Sequence, residues 1–318
     1  MPLTLVLAIP ALALLALFVE AFGILRAAAP AQPSSIRVGA AKPAGRARIP
    51  RVIWTYWQVL PLPPLVERCL QAWQRFAPDH EIRLVDRSSV SRWLGSDFDT
   101  SRLDALPAYR QADWLRLQLL IRHGGIWMDG STLLTRSLAW VHEFDGGGGA
   151  GVVGFYIDRY TTDRALPIME NWFLAAPPAD PFVVAWADEL ERALALGEDG
   201  YLADLERSGE LGRVAQAIPE AMRAYLVMHL AASRVLRRGA ADFRLVLQRA
   251  EDVAFAFHAA LRWRKRHLYA RLALTPAPRR RPALIKLRSG DRSVVERGLA
   301  RGWIWRRSLL AELLGPAA

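Results

Sequence analysis

From Pro2 to Val19 every residue except Thr4 is apolar, and after Glu20 the apolar run resumes from Ala21 to Leu25. About 20 helical residues at roughly 1.5 Å each cross a hydrocarbon layer of ~30 Å, so the pattern predicts one transmembrane helix over residues 1–26. Pro10 is tolerated in such a helix. The rival reading is a cleaved signal peptide. Ala27–Ala29 supply small residues for cleavage, but no Lys or Arg precedes the long apolar run. Residues 27–48 are rich in Ala, Pro, Gly and Arg with no apolar period, and read as a linker.

Beyond the linker the pattern changes to short β-branched and aromatic runs separated by helical periodicities. Residues 51–57, 81–86, 126–128 and 152–157 read as strands. Residues 65–76, 88–94, 109–123 and 180–196 read as helices, as does most of 211–236. Asp180-Pro181 is a helix start, and Gly124-Gly125 a helix stop. The strand–helix–strand–helix order predicts an α/β domain over residues 49–290, with a mixed, mainly parallel sheet flanked by helices. Residues 144–151, with glycine at 146–149, read as a surface loop. In residues 291–318, Trp303, Trp305, Arg306 and Arg307 stand beside Leu309, Leu310 and Leu313, the pattern of a basic amphipathic tail that suits an anionic membrane surface, a lipid-linked pyrophosphate acceptor or plain solvation equally.

Composition narrows the picture. With 52% hydrophobic residues, the 318-residue chain can bury a sizeable core and is not a disordered composition. Its one cysteine, Cys69, excludes an internal disulfide. The net charge of +11 calls for an acidic partner: nucleic acid, anionic lipid or a phosphorylated substrate. No nucleic-acid motif is visible, so nucleic acid is set aside as a partner. No basic side chain precedes the apolar run, whereas Arg26, Arg37, Lys42, Arg46, Arg48 and Arg51 follow it. The positive-inside rule then places the chain in the inner (cytoplasmic) membrane as a single-pass protein, with its globular domain facing the cytoplasm.

The candidate chemistry lies in Gln111–Thr132, QADWLRLQLLIRHGGIWMDGST. Asp113 and Arg116 are three apart on a helix and share a face. Asp129 ends an apolar strand, where open α/β sheets bind ligands. A carboxylate there can ligate a hard divalent cation that also holds a diphosphate, and Arg116 can support a phosphate by charge-assisted hydrogen bonds. Taken singly, such features are more often a surface ion pair and a turn; their order and spacing raise their weight. The six histidines form no metal spacing.

This stretch resembles the glycosyltransferases with a DXD-type sugar-binding region, particularly their capsular polysaccharide synthesis branch. The resemblance is carried by Ala112-Asp113, Leu115-Arg116, Gly124-Gly125-Ile126-Trp127 and Asp129-Gly130-Ser131. Weaker matches are residues 49–57, Glu170-Asn171-Trp172-Phe173, His229 and Lys286-Leu287. It implies a GT-A fold and transfer of a hexose, with retention, from a nucleoside-diphosphate sugar to a glycan or lipid-linked acceptor. Partners would be the membrane and other polysaccharide synthesis proteins. Trp54, Thr55, Tyr56 and Trp57 would contact the nucleotide, and Gly125 would belong to the donor site. Asp113 and Arg116 would hold the donor sugar, Asp129 and Ser131 would bind Mn²⁺ or Mg²⁺, and Asn171 and Trp172 would lie by the acceptor or reacting sugar. Ser131 stands where the full motif has a second aspartate, which removes one carboxylate from the metal shell. An inactive membrane scaffold and a sugar-phosphate transferase remain the alternatives.

Overall fold

A computed structural model describes residues 3–39, 48–95, 99–146 and 151–315. Seven strands form the main sheet. They are β1 (Ser35–Val38), β2 (Val52–Tyr56), β3 (Glu81–Val85), β4 (Gly125–Met128), β6 (Val152–Tyr156), β7 (Met169–Ala176) and β8 (Leu245–Arg249), in the order β1-β8-β6-β7-β4-β2-β3. A separate two-stranded sheet pairs β5 (Thr132–Leu134) with β9 (Leu284–Lys286). Strands β2, β3, β4, β6 and β8 share one direction, while β7 and β1 run opposite to them. The expected mixed, mainly parallel α/β sheet is therefore present. β1 lies inside the stretch read as linker and covers the β8 edge; residues 40–47 of that stretch, with Lys42 and Arg46, lie outside the described residues.

Both faces of the sheet are buried, which explains why its strands read as near-continuous apolar runs. Ile53, Ile126, Phe155 and Phe173 point into one layer, packed by Trp73 of the helix Pro64–Phe76 and by Tyr201 and Leu230. Trp54, Trp127, Tyr156 and Leu174 point into the other, against Trp114 and Leu115 of the helix Ala108–His123 and Trp186 of the helix Pro181–Leu196. The helix Ala108–His123 is buried on several faces, so it carries charge inside the protein as well as apolar packing. Asp180 caps the helix Pro181–Leu196 by accepting from the amides of Phe182 and Val183, as its sequence predicts. The helix Ala139–Gly146 takes in the start of the glycine-rich stretch, and residues 147–150 lie outside the described residues.

Among the described residues no helix is long and apolar enough to cross a membrane, which corrects the expected transmembrane helix over residues 1–26 and the single-pass inner-membrane location built on it. The helix Leu3–Arg26 forms, but Glu20 breaks its apolar run and is tied to the domain, 3.0 Å from Arg264 and 2.9 Å from His267. Ile24 and Ala27 pack into a third apolar cluster, and Arg271 Nε donates to the Ala27 carbonyl at 2.8 Å. Without the span, the basic residues after it no longer set an orientation.

The same third cluster takes up the C-terminal segment. Leu309, Leu310 and Leu313 pack with Leu65, Cys69, Leu133, Phe257 and Ile285. The apolar stripe that read as a membrane-facing tail is thus spent inside the protein. Its helix, Leu309–Leu314, is capped by Ser308, whose Oγ accepts from Ala311 N.

Candidate active site

A cleft of about 980 Å³ opens at the carboxyl ends of β2, β4 and β6. Because β7 is antiparallel to β4, its first residues, Glu170, Asn171 and Trp172, arrive at the same mouth. The opposite wall comes from residues 286–292, brought there by the pairing of Lys286 on β9 with Thr132 on β5. Asp129-Gly130-Ser131 is the turn between β4 and β5, so it joins the two sheets at the cleft floor. A Cβ on Gly130 would stand 2.9 Å from Val66 Cγ1, so any larger residue there must displace that side chain.

The charged groups of the mouth form one network. Asp113 accepts from Arg116 Nη1, Arg110 Nη1 and Asn171 Nδ2, each at 2.9 Å. Arg116 reaches Asp129 at 3.3 Å and lies over the Trp127 ring, 5.0 Å from its centroid. Asp129 also accepts from Trp127 Nε1 at 3.0 Å and from Lys286 Nζ at 2.7 Å. The Asp113–Arg116 pair is almost wholly buried, 8% and 4% exposed, so it is not the low-value surface pair that its spacing alone suggests. Burial opposes the charge on Asp129, but Lys286 and then Arg116 outweigh it and hold its carboxyl below the usual range. It is an ionised carboxylate at neutral pH.

Of the expected nucleotide contacts, Tyr56 and Trp57 line the cleft. Burial pushes the Tyr56 hydroxyl up to about 12, and it donates to Gln111 Oε1. Trp57 is half-buried under Arg292, whose guanidinium lies 5.3 Å from the ring centroid. Trp54, Thr55 and Gly125 are not in the cleft wall. Trp54 is fully buried, donates through Nε1 to the Gly124 carbonyl at 2.9 Å and stacks on His123. Gly125 has φ of +105°, and a Cβ there would meet the Val52 carbonyl at 2.7 Å. Its backbone role is thus structural. Asn171 and Trp172 do line the cleft, as does His229, whose Nε2 lies 3.6 Å from Glu170. Trp172 Nε1 and His229 Nδ1 are buried without a protein partner.

The residues do not suit a divalent cation. Among the described residues no group of three or more His, Cys, Asp or Glu side chains could hold a metal. Both Asp129 oxygens already carry cationic or N–H partners. Ser131 Oγ donates to the Leu287 carbonyl at 3.0 Å and faces Lys286 Nζ at 3.3 Å. The other carboxylate beside this wall, Asp291, accepts from His258 and Arg288, each at 2.9 Å. A dication seated on Asp129 would stand within a few ångströms of the ammonium. At 4 Å and an effective dielectric constant of 20, that repulsion amounts to about 8 kcal/mol, twice the value for unit charges. The expected Mn²⁺ or Mg²⁺ site on Asp129 and Ser131 therefore lacks both ligands and the right field.

Two participants are assigned no role by the sequence, although Lys286-Leu287 is a weak match to the family pattern. Arg110, 2% exposed, fixes Asp113 from behind and is itself held by Glu198 at 2.7 Å and by the Ala224 and Tyr225 carbonyls. Its i, i+3 spacing to Asp113 was the one available hint. Lys286 meets Asp129 across 157 positions of sequence, a distance that local patterns do not bridge.

An open, mainly parallel sheet with a charged cleft beyond its carboxyl ends defines a ligand-binding α/β protein. Within that class, the chain belongs to the capsular polysaccharide synthesis protein family, whose model matches residues 32–192. It is 29% identical over 154 residues to an O-glycosyltransferase, braB, of Annulohypoxylon truncatum, a match covering 43% of this chain and 36% of that protein. The chain thus spans about a third of the length of this curated relative. Among solved structures it is similar to the PaToxG glycosyltransferase, at 16% identity with a TM-score of 0.32, over 68% of this chain and 80% of that one. It is also similar to the UDP-bound glycosyltransferase domain from the YGT toxin, at 11% identity with a TM-score of 0.31, over 60% and 68%.

Proposed function

We propose that the chain is a glycosyltransferase that moves a hexose from a nucleoside-diphosphate sugar to a hydroxyl of a glycan or lipid-linked acceptor in surface polysaccharide synthesis. The observation that carries the reading is the convergence of Asp113, Arg116, Asp129 and Asn171 on one cleft beyond the parallel strands. Family membership and the relative named an O-glycosyltransferase support it.

Tyr56 and Trp57 offer aromatic surface to the base and ribose. Asp113 and Asn171 meet the donor sugar: Asn171 spends its amide N–H on Asp113, leaving its amide oxygen to accept from a sugar hydroxyl. Arg116 and its neighbours face the diphosphate, the group on which negative charge grows. In the transfer, the bond from the anomeric carbon to the diphosphate oxygen breaks and its electron pair leaves with the diphosphate. The acceptor oxygen bonds the anomeric carbon, on the face the diphosphate leaves in a retaining transfer. The acceptor's proton passes to the departing phosphate oxygen.

The test is release of nucleoside diphosphate from a panel of nucleotide-sugars, with purified wild-type protein and Asp129→Ala. At least one donor should turn over, and the variant should lose about 10²–10³-fold while its circular-dichroism spectrum stays that of a folded protein. Near-normal turnover by the variant would remove Asp129 from the site. A phosphorylated sugar product would instead identify a phosphotransferase, and no product from any donor would leave the scaffold reading.

A further inference from the structure

We infer that the donor's diphosphate is held by side chains of this chain, with Lys286 standing where a divalent cation would stand and Arg288 and Arg292 beside it, so that donor binding needs no metal. The inference rests on the glycosyltransferase reading and concerns the same cleft.

Lys286 sits between the two residues that would be metal ligands, 2.7 Å from Asp129 Oδ2 and 3.3 Å from Ser131 Oγ. Its position is fixed by the fold. The pairing of β9 with β5 aligns Lys286 with Thr132, and its backbone N–H donates to the Ala254 carbonyl at 3.1 Å. The side chain is 10% exposed. An ammonium has three donors. Asp129 and Ser131 take two of them, which leaves the third for a phosphate oxygen in the cleft.

Charge balance explains the departure at position 131. Two aspartates match the charge of a dication, whereas the one aspartate of Asp129-Gly130-Ser131 matches a single ammonium. Replacing the second carboxylate by a hydroxyl and supplying a lysine are thus two parts of one change. The rest of that wall is also cationic. Arg288 binds Asp291 through Nε and Nη2, which leaves Nη1 for a ligand. Arg292 lies over Trp57, where a base would stack, and is 32% exposed. The exposed Lys265 completes the wall. Asp291 offsets the charge of Arg288 and Glu296 lies 3.6 Å from Arg292, so these two arginines serve the ligand as hydrogen-bond donors, and Lys265 adds net positive charge.

The test is calorimetric titration of the full chain with UDP, GDP, CDP and dTDP, each in EDTA and in MnCl₂. At least one should bind with a Kd in EDTA within about threefold of that in Mn²⁺. Lys286→Ala should weaken binding in EDTA by roughly ten- to a hundredfold, the loss expected for one hydrogen bond to a charged group. Mn²⁺ should restore part of it, because Asp129 is then free to ligate; a merely structural role for Lys286 predicts no such rescue. Binding by the wild type in Mn²⁺ alone would overturn the inference, needs no variant, and would leave the glycosyltransferase reading intact. Wild-type affinity of Lys286→Ala in EDTA would overturn it equally. Failure of all four diphosphates in both media would overturn it together with the glycosyltransferase reading.

Discussion

Asp113→Ala withdraws one carboxylate from between two guanidiniums and an amide, each 2.9 Å away. Arg110 and Arg116 are 2% and 4% exposed, so water cannot take over the lost partner. Arg110 keeps Glu198 and two carbonyls, which limits the damage on its side. Arg116 keeps the longer contact to Asp129 at 3.3 Å, the Met228 sulfur at 3.4 Å and the face of Trp127, none of which replaces the lost carboxylate. Removing one member of a buried ionic cluster costs about 3–5 kcal/mol. At roughly 2.1 cal/mol/K per residue over about 300 residues, that corresponds to a fall in melting temperature of about 5–8 °C. Glu198→Ala is the control. Glu198 is 38% exposed, and its loss should cost under about 1 kcal/mol. Circular-dichroism melts of the three proteins side by side decide the matter. A fall below about 2 °C for Asp113→Ala, or an equal fall for Glu198→Ala, would show that the network does not carry the load assigned to it.

Two further outcomes follow from geometry away from the network. His80 and His142, with ring nitrogens 2.9 Å apart, are both pushed down to about 4, first by burial and then by Arg51. Their folded values lie below their ordinary 6.5, so the unfolded chain binds more protons between the two. Stability should be full above pH 6.5 and decline as pH falls toward 4. His80→Gln with His142→Gln should flatten the urea midpoint across that window, and an unchanged slope would sink the assignment. Gly125→Ala forces a Cβ onto the Val52 carbonyl at a φ of +105° and should cost about 1–3 kcal/mol in denaturant titrations while leaving UDP affinity unchanged. Lost affinity at full stability would return Gly125 to the donor site.

What could be read from the sequence was what short stretches determine. The strand Val52–Tyr56 and the helix Ala108–His123 follow from local runs and periods, and the neighbouring positions 113, 116 and 129 could be put on one mouth from the helix–Gly-Gly–strand order. Trp54 and Tyr56 share an alternation, yet one is sealed against Gly124 and the other borders the cleft, because where a strand ends relative to its neighbours is a tertiary fact. The N-terminal run misleads for a related reason. Glu20 looks like an interruption in a span until Arg264 and His267, more than 240 positions on, supply its partners. The stripe at Leu309, Leu310 and Leu313 announces that a surface will be covered, but not that the helix Pro64–Phe76 and β9 will cover it.

The turn at Asp129-Gly130-Ser131 sits on the seam between two sheets, with one bank of the cleft built from the first half of the chain and the other from residues near its end. The helix Ala108–His123 and the end of β4 can hold Asp113, Arg116 and Asp129 while the bank carrying Lys286, Arg288 and Arg292 changes its side chains, since those residues stand on β9 and at the start of the helix Ser289–Ala300. Evolution can therefore retune what enters the groove by exchanging side chains on that bank, while the seven-stranded sheet stays as it is.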